Sequence, residues 1–393
     1  MFAISCEPAL PARHAPDCPQ MRAACLLLRC LPAHEDCVTD CREPIIQLGA
    51  QWLHDQGLAP FAWYICRPAS SLPADLLLAL HTAYYAAVAD AELHSRELSD
   101  VLQVLGEIGV TPVVFKGAAL AHSVYPDPVC RPMGDLDLWL AADEIPRAQR
   151  ALVANGYTPA LKPDRPTALM ILDMGEVRLW GSQPGAGLVE LHWGVFPGEW
   201  LRRTAKIDEE AIRARTVAAQ LVGQPARLQA PEDAVLQIVV HLAISHQLSL
   251  SALRGLVDIA LIARAQPIEW TIVAQRARAW RIATATWLVM KLTVELAGLD
   301  EAAAIVPQLA PPALRRWLID RIAPAESLVE MRELSRSRWR FVYLLLLVDR
   351  WRDAVRLVWR ALWPEHEWLV ARYNHSGPGV RLWHVWNAVR GRL

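Results

Sequence analysis

The chain has 393 residues, 53% of them hydrophobic and 21% charged, which supplies material for a sizeable core and excludes global disorder. Its formal net charge of -1 excludes a generally basic nucleic-acid coat protein. The length suggests two or three domains, or one core with helical extensions.

Residues 1–40 are rich in proline and cysteine and read as an irregular extension, apart from the short apolar stretch Ala23 to Leu28. Cys6, Cys18, Cys25, Cys30, Cys37 and Cys41 lie in or beside it, Cys66 and Cys130 further on. Cys37 and Cys41 with His34 lack the tight pairing of a structural zinc site, so reduced thiols are expected. Glu7, Arg13, His14 and Asp17 interrupt the start, which does not read as a secretory signal, and Met21 offers an alternative start. The longest apolar run, Phe341 to Val348, falls far short of the roughly 20 residues of a spanning helix. The cytoplasm is the default expectation.

Residues 41–109 form a helical segment, with one long helix expected from about Pro73 to Ile108. Leu76, Leu80, Tyr84, Val88, Leu98, Val101 and Leu105 follow a helical stripe, and Gly109 ends it. The texture changes over 110–200. Thr111 to Phe115 is a short β-rich run, Ala118 to Val124 a helix, and Asp135 to Leu140 an alternating strand. A helix from Asp143 to Gly156 precedes two more strands, Val177 to Trp180 and Leu188 to Trp193. This is a compact α+β unit. After Asp208 the pattern is helical almost to the end, first through 201–329 and then through a basic, Trp-rich tail, 330–393. The tail holds twelve arginines against six acids, a local excess of about +6.

The chemistry concentrates between Phe115 and Trp193. Asp135 and Asp137 are two apart on a strand, so both carboxylates point to one face while Leu136, Leu138 and Leu140 anchor the other. Paired carboxylates repel unless a cation lies between them, and hard oxygen ligands suit Mg²⁺ bound to substrate phosphates. Two solvated aspartates at a strand end are the bland alternative. Lys116-Gly117 closes one strand and opens a helix, where backbone N–H groups can meet a phosphate; an ordinary tight turn is the alternative. Glu190 and His192 share one face of a later strand, Val189 and Leu191 the other. Glu190 reads as a metal ligand or as the base for an attacking hydroxyl, His192 as structural or supporting, and Asp173 and Glu176 as fallbacks.

The run Phe115-Lys116-Gly117-Ala118-Ala119-Leu120-Ala121, Tyr125-Pro126, Arg131-Pro132-Met133-Gly134-Asp135-Leu136-Asp137-Leu138, Gly156-Tyr157 and Val189-Glu190-Leu191-His192-Trp193 resembles the uncharacterised bacterial nucleotidyltransferases of the polymerase-β-like superfamily. The resemblance is close over 110–200 and looser through the helices on both sides. It implies a small mixed-sheet nucleotidyltransferase core flanked by N-terminal helices and a larger C-terminal helical region. It implies transfer of a nucleoside monophosphate from an NTP, ATP among the candidates, to an acceptor hydroxyl or phosphate, with Mg²⁺ (or Mn²⁺). Asp135, Asp137 and Glu190 would be the catalytic and metal residues; Lys116, Gly117, Arg131 and Gly134 would bind the nucleotide. The superfamily's Gly-Ser appears here as Gly117-Ala118, so a hydroxyl contact to phosphate is missing, and Lys116 or Arg131 would have to compensate. The acceptor, a small molecule, RNA or protein, is not specified.

Two other readings stand beside this one. One is a catalytically degenerate nucleotide-binding or scaffold protein. The other is an adaptor whose tail binds an anionic partner, RNA or a membrane surface, through arginine and tryptophan. For most tail tryptophans the expectation is core packing beneath a solvated arginine face. His241 and His246, five apart on an expected helix, should point about 140° apart and form no metal pair. Asp258 either lines the cleft or pairs with Arg254.

Overall fold

Period-two alternation fixes the central sheet. In the computed structural model, which describes residues 18–33, 41–67, 72–161, 168, 171, 175–183, 187–196, 198–249, 252–332, 334 and 339–389, seven strands form one sheet. They are β1 (Val113–Phe115), β2 (Asp135–Trp139), β3 (Thr158–Pro159), β4 (Glu176–Trp180), β5 (Leu188–His192), β6 (Val217–Leu221) and β7 (Gln224–Leu228). Their order is β3-β4-β5-β2-β1-β7-β6. β2 runs parallel to β5 and β1 parallel to β7, and the other neighbours are antiparallel, so the sheet is mixed.

One face of this sheet is aliphatic. Val114, Leu136, Leu138, Leu179, Val189 and Leu191 are fully buried. They pack on Leu98, Val101, Leu102 and Leu105 of α4 (Ala74–Glu107) and on Ala148 and Leu152 of α6 (Ile145–Ala154). Burying each aliphatic side chain contributes roughly 1.5–3 kcal/mol, so a one-residue slip in β2 or β5 would expose several at once. The register is therefore fixed, and with it the opposite face, which carries Asp135, Asp137, Glu190, His192, Glu176 and Arg178.

That polar face is roofed by helices from both ends of the chain. Phe115 and Trp139 join a second core with α1 (Pro19–Cys30), α2 (Arg42–Asp55), α3 (Ala59–Cys66) and the helices Pro231–Val240, Ala252–Ala265 and Ala283–Ala297. The fold is thus α+β, with helices flanking the sheet. Among the described residues no helix is long and apolar enough to cross a membrane. Cys18, Cys25, Cys66 and Cys130 are free thiols; Cys37 and His34 lie outside the described residues.

Three expectations are corrected. Pro19–Cys30 is a regular helix with Leu27 and Leu28 fully buried, longer than the apolar stretch read from the sequence. Residues 217–228, expected to be helical, form a hairpin turned by Val222 (φ 47°) and Gly223 (φ 80°) in the left-handed region. In the tail, Tyr343, Leu347 and Val348 are buried, and Tyr343 Oη donates to the Ala243 carbonyl at 2.9 Å. Tryptophans of the tail, expected to pack in the core beneath a solvated arginine face, face outward instead: Trp351 is 68% exposed, Trp359 58% and Trp383 54%.

Candidate active site

The site begins at the β1 to α5 junction, where α5 spans Lys116–Ser123. Lys116 takes a left-handed conformation, φ 54°, which costs a non-glycine residue on the order of 1–3 kcal/mol. The ion pair it makes offsets that strain: Lys116 Nζ lies 2.5 Å from Asp137 Oδ1. Gly117 follows because its neighbour leaves little space; a Cβ there would lie 3.2 Å from Met133 Cβ. The Met133 loop and the first turn of α5 therefore pack directly on each other.

Across the sheet, pairing sets the carboxylates side by side. Asp137 lies opposite Glu190 in the parallel β2–β5 register, and Glu190 lies opposite Arg178 in the antiparallel β5–β4 register. Asp137, Glu190 and His192 each offer a ligand atom within 4.8 Å of the others, and all three are buried. Asp135 is on the same face, one pleat away and half-buried, outside that tight trio. His192 Nε2 stands 2.9 Å from Asp137 Oδ1 and 3.5 Å from Glu190 Oε2. Carboxylates only accept, so this nitrogen carries the proton. Arg178 Nε donates to Glu190 Oε1 at 2.7 Å.

The electrostatics divide the acids. Burial would raise the Asp137 carboxyl, but the Lys116 ammonium and the His192 hydrogen bond outweigh it and hold Asp137 well below the usual carboxylate range. Glu190 is also lowered: burial opposes, and the hydrogen bond from His192 prevails. His192 is raised despite its burial, by its bonds to Asp137 and Glu190. Asp135 goes the other way. Burial, then repulsion from Asp137 and Glu190, push it up to about 6. One carboxylate of the set thus lacks compensating positive charge, which is the demand a divalent cation meets. The donors fit such an ion: hard carboxylate oxygens from Asp135, Asp137 and Glu190, with one imidazole nearby.

Arg131 is placed differently from a free phosphate ligand. Its Nε and Nη2 bind Asp258 Oδ1 and Oδ2 at 2.8 and 2.9 Å, and Tyr125 Oη donates to the same carboxylate at 2.7 Å. Asp258 therefore pairs with Arg131; Arg254 instead donates to the Pro132 carbonyl at 3.0 Å. The Arg131–Gly134 loop is tied to the helix Ala252–Ala265 from two sides. Gly134 gives its carbonyl to the Leu188 amide at 3.5 Å, at the mouth of β5.

The histidines of 241 and 246 are a correction. His241–Ser245 is wound as a π-turn, with the His246 amide bonded to the His241 carbonyl at 2.9 Å. The wider turn brings the rings to 4.2 Å between centroids rather than 140° apart. Burial, then repulsion from Lys116, lower both imidazoles, His241 well below its usual range. Arg178 is the residue that sequence reasoning missed. Its signal was present: Glu176 and Arg178 alternate with Val177 and Leu179, the same polar face seen at Glu190 and His192. Glu176 Oε2 lies 3.7 Å from His192 Nδ1; Asp173 lies outside the described residues.

The polar face of the sheet thus gathers Asp135, Asp137, Glu176 and Glu190 beside the strand-to-helix turn at Lys116-Gly117. Residues 46–298 match the model of a family described as uncharacterised nucleotidyltransferase, and the chain belongs to that family. A search of curated proteins gave no match.

Proposed function

We propose that the protein moves a nucleoside monophosphate from an NTP to an acceptor hydroxyl or phosphate, in the manner of polymerase-β-like enzymes. A bond forms between the acceptor oxygen and the α-phosphorus, the α–β phosphoanhydride bond breaks, and pyrophosphate leaves. Family membership supports the class of reaction. The observation that carries the assignment of residues is the pairing of Asp137 with Glu190 across β2 and β5, with Asp135 on the same face. Asp135, Asp137 and Glu190 would hold Mg²⁺ or Mn²⁺, whose chemistry when bound is to neutralise the phosphates and polarise the reacting oxygens. Glu190, ionised at neutral pH, would take the proton of an acceptor hydroxyl. Lys116 and the amides of Gly117 and Ala118 would position the triphosphate without the missing hydroxyl. Arg131 and Gly134 would hold the loop over the nucleotide, Arg131 through Asp258. The cytoplasm, where NTP and Mg²⁺ are abundant, is the compartment this reading requires.

One observation favours a second reading. Lys116 Nζ already sits at Asp137, a cation on a metal-binding carboxylate, which suits a nucleotide-binding protein without turnover. Incubation with α-³²P-labelled NTPs and an extract fractionated into small molecules, RNA and protein separates the two. Transfer is expected to require Mg²⁺ and to disappear in Glu190→Gln. NTP binding without label transfer in any fraction would refute the enzyme and favour the second reading.

A further inference from the structure

The helix Trp351–Leu362 is turned inside out. Its apolar positions Trp351, Val355 and Trp359 recur every fourth residue, and all three are exposed, at 68%, 58% and 58%. Its buried positions are Asp353 and Leu357. A globular surface helix normally hides the apolar stripe and shows the charges. The helix Pro378–Val389 packs against it and repeats the pattern: His384 is buried, whereas Leu382 and Trp383 are 67% and 54% exposed.

Charge is sorted as well. Asp349 is turned inward, accepting from the Ala283 and Thr284 amides at 2.8 and 2.9 Å. Asp353 is buried, 3.5 Å from Arg281, and Glu365 is held by Arg203. Arg352 and Arg356 are exposed beside the tryptophans, Arg352 with its guanidinium 5.7 Å from the Trp351 ring centroid and Arg356 reaching to 3.8 Å from Asp353 while its side chain stays 60% exposed. Along Trp351–Leu362 the exposed side is thus tryptophan and valine, with Arg352 and Arg356 at its rim by helical spacing; Glu367, on the neighbouring helix His366–Tyr373, is an exposed acid.

We propose that these two helices lie on an anionic phospholipid bilayer, tryptophan and aliphatic side chains in the headgroup–acyl boundary and arginines on lipid phosphates. A bilayer satisfies both parts of the surface at once: apolar area is buried, and the rim meets opposite charge. A second copy of the chain would set arginine rim against arginine rim, which opposes pairing. RNA would need cations along a groove between stacking rings, whereas Val355 and Leu382 sit among the tryptophans here. The inference is independent of the transfer reaction and concerns no residue of that site.

The full-length protein, mixed with phosphatidylcholine vesicles containing about 30 mol% phosphatidylglycerol, should float with them and show a blue shift of tryptophan emission. Pure phosphatidylcholine should hold it far more weakly, and about 0.5 M NaCl should weaken anionic binding. Arg352→Gln with Arg356→Gln should reduce partition to anionic vesicles about 25-fold, roughly fivefold per arginine. Trp351→Ala with Trp359→Ala and Trp383→Ala should reduce it at least about tenfold at an unchanged melting temperature. If the tryptophan variant unfolds, the arginine variant decides. The proposal fails if the wild type stays off anionic vesicles, or if the arginine variant binds them as well as the wild type. It fails equally if the protein binds an RNA oligonucleotide in preference to vesicles, or forms a dimer that the tryptophan variant dissociates.

Discussion

Replacing Asp135 by Asn should make the metal-free protein more stable, although it removes a residue proposed for catalysis. The carboxyl is raised from 3.8 to about 6 in the folded state, by burial and by the nearby Asp137 and Glu190. A raised acid pKa means that the folded protein holds the proton more tightly than the unfolded chain between those two values. Folding stability therefore falls as pH rises from about 4 to 6, and above that the full penalty remains. Some two units at 1.36 kcal/mol each give about 3 kcal/mol as an upper bound. Asn keeps the shape and removes the charge, so a gain of about 1–3 kcal/mol is expected near pH 7.5 and almost none below pH 4. For 393 residues, 1 kcal/mol moves Tm by about 1 °C, so calorimetry should show a rise of about 1–4 °C. Mg²⁺ should stabilise the wild type and do so less in the variant, because the same uncompensated charge attracts the ion. An equal or lower Tm in Asp135→Asn at pH 7.5, or a difference that does not shrink on acidification, would refute this account.

Two further outcomes follow from the ion pairs. Lys116→Ala leaves Asp137 buried without its main cation; a loss of about 3–5 kcal/mol is expected, measurable by urea denaturation, together with loss of nucleotide transfer. Arg131→Ala strips Asp258 of its bidentate partner, so it should lower stability by about 3–5 kcal/mol even without nucleotide, whereas a purely phosphate-binding arginine would leave the apo protein's denaturation curve unchanged.

What could be read from the sequence was what repeats at short range. Asp135-Leu136-Asp137 and Glu190-Leu191-His192 announce a two-faced strand, because the period of two assigns every side chain to a face. The long helix was legible through its stripe and through Gly109. The pairing of Asp137 with Glu190 was available only through the family resemblance, since strand order is a long-range property. Residues 217–228 were missed because alanine and proline blur the alternation and because Val222-Gly223 is not the Asn-Gly that marks a tight hairpin. The π-turn at His241 was invisible, since a 3.6-residue pattern cannot show an i to i+5 bond. Arg131 and Asp258 stand 127 residues apart, and nothing local joins them. The tail showed its amphipathic period but not its sign. Which side of a helix faces the body depends on neighbours, and here Asp353 and Leu357 face inward while Trp351 and Trp359 face out.

The β6–β7 hairpin has a practical consequence for anyone cutting the chain. β7 pairs with β1 at Val113, and the Arg227 amide bonds to the Pro112 carbonyl at 3.0 Å. The sheet's far margin is already blunt, because β3 is two residues long and one of them is Pro159. A fragment ending near residue 200 would keep every acid of the site yet uncover β1, a short, fully buried apolar strand with open backbone groups. Such a margin recruits strands from other molecules, so that fragment should precipitate, whereas one carried past Leu228 keeps β1 covered by its own chain.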